Sequence, residues 1–284
     1  MIVEKVLNNN VVVSIEPQSR KEIILMGQGI AFGKKIGQEI DERKIEKRFV
    51  VEDKTLGDKI KKLINQIPDG VFELSDEIIS YASKELDTKL DSQIYISLSD
   101  HIAFAIKRYK NKITLKNDLL NEIRRVHKKE FNIALWAVDY LNTKLDINLP
   151  EDEAGFIALH FVNAAYNKTT TESITSTKII KDILQIIRLN YLLEFNENDL
   201  NYDRLLTHLK YFTKRIISNS NESNNGDEAF AKIIENSYSE AYKCAVKIKD
   251  YIAEAYNYEV NNDEIIYLTM HIHRVVLAAR ESDI

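Results

Sequence analysis

The stretch LSDHIAFAIKR at residues 98–108 returns as LLTHLKYFTKR at residues 205–215. Leu98, His101, Ile102, Phe104, Lys107 and Arg108 find Leu205, His208, Leu209, Tyr211, Lys214 and Arg215 at one offset of 107. A second landmark follows. DEAGFIALH at 152–160 reappears as DEIIYLTMH at 263–271, matching Asp152, Glu153, Phe156, Ile157 and His160 to Asp263, Glu264, Tyr267, Leu268 and His271 at an offset of 111. Two landmarks in the same order mean a duplicated unit of roughly 110 residues, close to the usual domain size. From about residue 60 onward the apolar residues recur at helical period, so each copy reads as a helical bundle. Pro150, Glu151, Asp152 and Glu153 put proline and acids in a first helical turn, and the helix they open should run to about Tyr166.

Ahead of the repeat the pattern changes. Ile2 and Val6 lead into Asn8, then come Val11, Val12, Val13 and Ile15, and later the short apolar runs Ile23 to Met26 and Phe49 to Val51. This predicts a small sheet of about four antiparallel strands. Charge marks the same boundary: residues 1–55 carry 10 basic and 9 acidic side chains, whereas the whole chain has a net charge of -5. Four of the eight glycines, Gly27, Gly29, Gly33 and Gly37, also lie here. A unit of ~55–65 residues buries only about 60% of its unfolded surface, so pairing with a second copy is expected.

The whole chain, 284 residues with 8 glycines and 3 prolines, has the composition of a helix-dominated globular protein. No run reaches the roughly 18 apolar residues of a membrane span, and Glu4, Lys5 and the asparagines at 8–10 deny the start an apolar signal core. A cytoplasmic location without membrane insertion is the expectation. Cys244 is the single cysteine, which excludes an internal disulfide and multi-cysteine metal sites. Asn167 to Ser173, with three threonines in a row, reads as an interdomain linker, and Ser218 to Glu228 as a loop inside the last domain.

Four of the six histidines, His101, His160, His208 and His271, occupy repeated positions. A core position needs shape rather than imidazole, so the repetition suggests that a nucleophilic nitrogen is wanted. On the late helix Ala154, Ile157, Ala158, Phe161 and Ala165 form the apolar stripe, with Glu153, Phe156, His160 and Asn163 on a more polar neighbouring face. A metal site is disfavoured. His271 and His273 stand at i and i+2, which point about 200° apart on a helix. His273 has Val162 as its counterpart in the first copy, His127 has no repeated partner and is assigned to the surface, and Asp100-His101 reverses the His-then-Asp order of helical metal phosphohydrolases. No metal and no cofactor is expected.

The front segment has its own constellation: Asn8, Asn9 and Asn10, then Gly27, Gln28, Gly29, Ile30, Ala31, Phe32, Gly33, Lys34 and Lys35. Amides can hydrogen-bond base edges, glycines let backbone approach closely, Phe32 offers a stacking face, and Lys34 and Lys35 can meet phosphates. No helix-turn-helix, Walker loop or dinucleotide fingerprint is present.

The amide run, the Gly27 to Lys35 segment and the two histidine-bearing repeats together resemble the transcriptional antiterminators of the BglG and LicT type, essentially end to end. The resemblance implies a multidomain fold: a dimeric all-β co-antiterminator RNA-binding domain at 1–56, then two homologous all-α phosphotransferase-system regulation domains at 57–170, with a leading linker, and 171–284. It implies a regulator and not an enzyme, a homodimer that binds a leader mRNA hairpin and prevents terminator formation ahead of sugar-utilisation genes. Asn8, Asn9, Asn10, Gly27, Gln28, Gly29, Ala31, Phe32, Lys34 and Lys35 would bind RNA. His101, His160, His208 and His271 would be phosphorylated, the first pair by the sugar-specific permease to silence the protein and the second by the phosphocarrier HPr to activate it. Lys107, Arg108, Lys214 and Arg215, two turns past the early histidines, could receive the added charge.

Relatives often carry a basic residue where this chain has Gln28, which bears on electrostatic affinity, and Thr207 in place of Asp100 suggests that the two early histidines are tuned differently. A phosphotransferase-responsive regulator that works through protein contacts without RNA is the alternative, and a metal-dependent phosphohydrolase a weaker third.

Overall fold

The structure is a computed structural model that describes residues 1–51, 54–64, 66–68, 70–166, 168–220 and 228–282. Strands β1 (Lys5–Asn8), β2 (Val11–Ile15), β3 (Glu22–Met26) and β4 (Lys47–Val50) form one antiparallel sheet in sequential order. The register sets Val12 against Leu25 and Ile24 against Phe49. Val12, Ile23 and Leu25 are buried together with Ile30, Ala31 and Ile40 from the long β3–β4 connection, so that connection is part of the core.

Eleven helices follow among the described residues: α1 (Lys54–Ile64), α2 (Val71–Leu86), α3 (Ile94–Lys110), α4 (Leu120–Val126), α5 (Lys128–Leu145), α6 (Asp152–Tyr166), α7 (Thr170–Tyr191), α8 (Leu200–Ser218), α9 (Glu228–Ser237), α10 (Ser239–Tyr256) and α11 (Asn262–Ser282). The chain divides into two compact units, residues 1–120 with 127–168, and residues 121–126 with 169–284. In the first, α3 packs on α2 and α6, and α5 packs on the same two helices. In the second, α8 packs on α7 and α11, and α10 on the same two. The two bundles therefore share one wiring, which is the duplicated unit expected from the repeat. Each is filled by the apolar stripes of its own helices, such as Leu98, Ile102, Phe131 and Phe161 in the first and Leu205, Phe212, Ile248 and Leu268 in the second.

Two local expectations change. The division between the two units falls between Lys168 and Thr169, inside the expected linker, but the threonine run is a helix start: Thr169 accepts the Glu172 N–H through its hydroxyl at 3.2 Å, and the Glu172 carboxylate accepts the Thr169 N–H at 2.6 Å. Threonine is poor in a helix interior but strong at an N-cap, and Glu172 completes the reciprocal box. Asn167 itself lies outside the described residues. His127 is buried, at 6% exposure, because the break between α4 and α5 turns it inward while its carbonyl accepts the Phe131 N–H at 2.8 Å. The loop expected at Ser218 to Glu228 lies, for 221–227, outside the described residues; Ser218 closes α8 and Glu228 opens α9. No helix among the described residues is long and apolar enough to cross a membrane.

Candidate functional site

Helices α3 and α6 bring the first two repeated histidines together. His101 and Arg108 are seven residues apart on α3, and Glu153 and His160 are seven apart on α6. Seven residues are close to two full turns, so each pair shares one helix face. The His101 and His160 ring centroids are 5.2 Å apart, and Phe156 lies 5.9 Å from His101. Glu153 joins the two helices: its Oε1 accepts from an Arg108 guanidinium N–H at 2.6 Å, and its Oε2 stands 3.0 Å from His101 Nε2. Both of these last atoms are shut off from solvent, and although they face each other neither makes a hydrogen bond of good geometry among the described residues. Burial by itself would raise the Glu153 carboxyl, but His101 and Arg108 outweigh it and hold the group below its ordinary value.

The second bundle repeats the arrangement on α8 and α11. His208 and His271 are 5.0 Å apart, Tyr267 lies 5.8 Å from His208, Glu264 Oε2 stands 3.4 Å from His208 Nε2, and Arg215 pairs with the other Glu264 oxygen. The late histidines are kept neutral. Burial, then the neighbouring His101 ring, pushes His160 down to about 3. Burial, then His208, Arg274 and Arg204, pushes His271 down to about 4. His160 Nδ1 has the Ser97 hydroxyl at 3.3 Å. A neutral imidazole keeps a lone pair, so both late rings are chemically able to accept an electrophile.

The four histidines singled out in the sequence thus form two pairs. His273 is not part of the second, lying instead 4.5 Å from the Tyr238 ring. The basic residues expected to act together separate: Arg108 and Arg215 turn inward to the glutamates, while Lys107 and Lys214 are exposed. Glu153, placed with a polar face by periodicity, is buried. Glu153 and Glu264 are the residues that sequence reading passed over, although both belong to the repeated set.

At the front, the asparagines build the loop they precede. Asn8 Oδ1 accepts the Asn10 N–H at 2.9 Å, Asn10 Oδ1 accepts the Gly29 N–H at 2.7 Å, and the Asn9 carbonyl accepts the Ala31 N–H at 3.0 Å. Gly29 has φ of +62°, and a Cβ on Gly27 would come within 1.7 Å of the Lys44 carbonyl oxygen, so both positions need glycine. Ala31 is buried in the sheet core and offers no side chain to a ligand. Asn10 is buried too, and its amide N–H donates to Glu73 on α2. Asn9, Gln28, Phe32 and Lys35 remain exposed, Phe32 at 75%, while Lys34 is half-buried with its ammonium on the Glu39 carbonyl at 2.9 Å. An exposed aromatic ring beside exposed amides and an exposed lysine can stack a base and meet a phosphate.

Comparison with known proteins gives the arrangement a family. Residues 1–57 match the CAT RNA binding domain, and residues 76–164 and 181–275 each match the PRD domain. The chain is 43% identical to the transcription antiterminator LicT of Bacillus subtilis (strain 168), over 98% of this chain and 100% of that one. It is 37% identical to the beta-glucoside operon antiterminator of Dickeya chrysanthemi, over 97% and 96% of the two chains. Among solved structures, GlcT CAT-PRDI superposes with a TM-score of 0.51 at 37% identity, covering 58% of this chain and 97% of that one. The chain belongs to the transcriptional antiterminators, a regulatory and non-enzymatic family that joins a CAT RNA binding domain to PRD domains.

Proposed function

We propose that the chain, as a cytoplasmic homodimer, binds a leader mRNA hairpin ahead of sugar-utilisation genes and prevents terminator formation. Residues 1–56 form the RNA-binding domain, and residues 57–170 and 171–284 the two regulation domains. Asn9, Gln28, Phe32, Lys34 and Lys35 make contact, while Asn8, Asn10, Gly27, Gly29 and the Ala31 backbone shape the loop. The sugar-specific permease phosphorylates His101 and His160 and silences the protein; HPr phosphorylates His208 and His271 and activates it.

The observation that carries this reading is the twice-built pair of histidines, each ring within about 5 Å of its partner, in a chain whose front sheet leaves Phe32 in solvent. Phe104 and Tyr211, exposed at matching places of the two copies, support a face for a second chain. The test is a gel shift of the full chain with RNA transcribed from its own leader and with DNA of the same sequence. RNA alone should shift. Phe32→Ala should weaken binding by about 1–3 kcal/mol if one base stacks on the ring. Equal shifts of RNA and DNA, or none, would leave a regulator that acts through protein contacts.

A further inference from the structure

The buried glutamate of the first site has a chemical task there. A carboxylate only accepts hydrogen bonds, so the imidazole nitrogen that faces it carries the ring proton. Glu153 Oε2 is 3.0 Å from His101 Nε2, which puts the proton on Nε2 and the lone pair on Nδ1. Arg108 fixes the carboxylate from its other oxygen at 2.6 Å, and at 8% side-chain exposure it is itself locked in the bundle. The second copy repeats the same three residues more loosely: Glu264 Oε2 stands 3.4 Å from His208 Nε2 with Arg215 on the other oxygen, and both ring nitrogens of His208 are buried without a hydrogen bond among the described residues.

We propose that Glu153 is a positioning residue for phosphoryl acceptance: its carboxylate fixes the tautomer of His101 so that Nδ1 is the attacking atom, and offsets the positive ring that results. This rests on the reading of His101 as a phosphoryl acceptor. In the step, the Nδ1 lone pair attacks phosphorus, a P–N bond forms to the ring, and the donor's own P–N bond breaks, its electron pair leaving with the donor nitrogen. The ring keeps its Nε2 proton and becomes cationic, facing the ionised Glu153. A carboxylate behind an imidazole serves the same purpose wherever a histidine must become cationic in mid-reaction. His101 and Arg108 together keep the carboxylate ionised there, since burial alone would favour its neutral form.

The test uses phosphoramidate as donor, which releases ammonia and needs no protein partner. The full chain carries His160→Gln, His208→Gln and His271→Gln, so that His101 remains from the two pairs; peptide mapping locates the label and phosphorus NMR distinguishes Nδ1-phosphate from Nε2-phosphate. The expected product is on Nδ1. Adding Glu153→Gln should slow labelling at least tenfold and yield a mixture of the two isomers, a change of isomer that loss of packing alone would not produce. Should Glu153→Gln fail to fold with Arg108 left unpaired, the double variant Glu153→Gln with Arg108→Met removes both charges and is expected to give the same slow, mixed labelling. Labelling at the parent rate on the same nitrogen in the folded variant would overturn the positioning role while leaving His101 an acceptor. No label on His101 in the parent chain, under conditions that phosphorylate free imidazole, would overturn the acceptor reading and the positioning role with it.

Discussion

The two histidine sites are nearly superposable in plan and differ in the charge and cover around that plan. Both have an early and a late ring about 5 Å apart, an aromatic against the early ring, and a glutamate held between histidine and arginine. Around the first, the repeat offsets place Ser97, Asp100 and Asn163; around the second, they place Arg204, Thr207 and Arg274. At these three positions the sites differ by three unit charges, the second being the more positive. The first guanidinium is almost wholly covered while the second has 31% of its side chain exposed, and both ring nitrogens of His208 are buried without a hydrogen-bond partner among the described residues, against Nε2 alone at His101. Duplication preserved the geometry that brings the rings together; divergence acted on how strongly the ion pair is sealed and on the field that an incoming phosphate meets.

The largest expected difference is in stability. Arg108→Ala leaves Glu153 as an uncompensated buried carboxylate, which typically costs about 3–5 kcal/mol. Arg215→Ala opens a site where water already reaches the guanidinium, so solvent can take over part of the pairing, and its cost should be less than half as large. Urea unfolding followed by circular dichroism measures both. Equal losses would show that exposure of the arginine does not separate the sites.

How far the sites could be read from sequence depends on the kind of interaction. The pairing of His101 with His160 and of His208 with His271 was legible because the repeat carries both members in order. The arginines were legible in principle: position i+7 returns to the face of residue i, whereas i+6 is turned well away, so His101 selects Arg108 over Lys107 by helix geometry alone. Glu153 was not, because an acid in the first turn of a helix is also what a helix start prefers, and nothing local distinguishes a dipole-favoured surface carboxylate from a buried ion pair. The front sheet was legible from its alternation. The inward turn of Ala31 and Asn10 was not, since it follows from a β3–β4 connection that folds back over the sheet, a tertiary contact with no period.

A smaller difference lies in acid sensitivity. The unfolded chain protonates both late histidines near 6.5, but the fold holds His160 at about 3 and His271 at about 4. Between those limits the unfolded state binds more protons, so stability is fully present above pH 6.5 and declines as the pH falls, through about 4 for His271 and on to about 3 for His160. Below pH 6.5, His160→Gln or His271→Gln should each flatten the slope of unfolding free energy against pH. Below pH 4 only the chain that retains His160 should go on losing stability from a late histidine. A slope unaffected by either substitution would mean that the rings are charged in the folded state.

The smallest effect isolates the field itself. Arg204 and Arg274 both disfavour the charged form of His271, but burial is the leading cause and His208 the next. Converting the second site's shell to that of the first, by Arg204→Ser and Arg274→Asn, therefore removes only the lesser contributions. Both arginines are exposed, where charge interactions are weakened by water and by salt within a Debye length of about 8–10 Å. The His271 titration, followed by its ring proton resonance, should move upward from about 4 yet remain well below 6.5. The same upward movement should follow in the unsubstituted chain on adding salt, because screening and deletion remove the same cationic field. If the titration does not move with either treatment, burial alone sets His271, and the three-charge difference between the two sites bears on the approach of a phosphate donor rather than on the ring that accepts it.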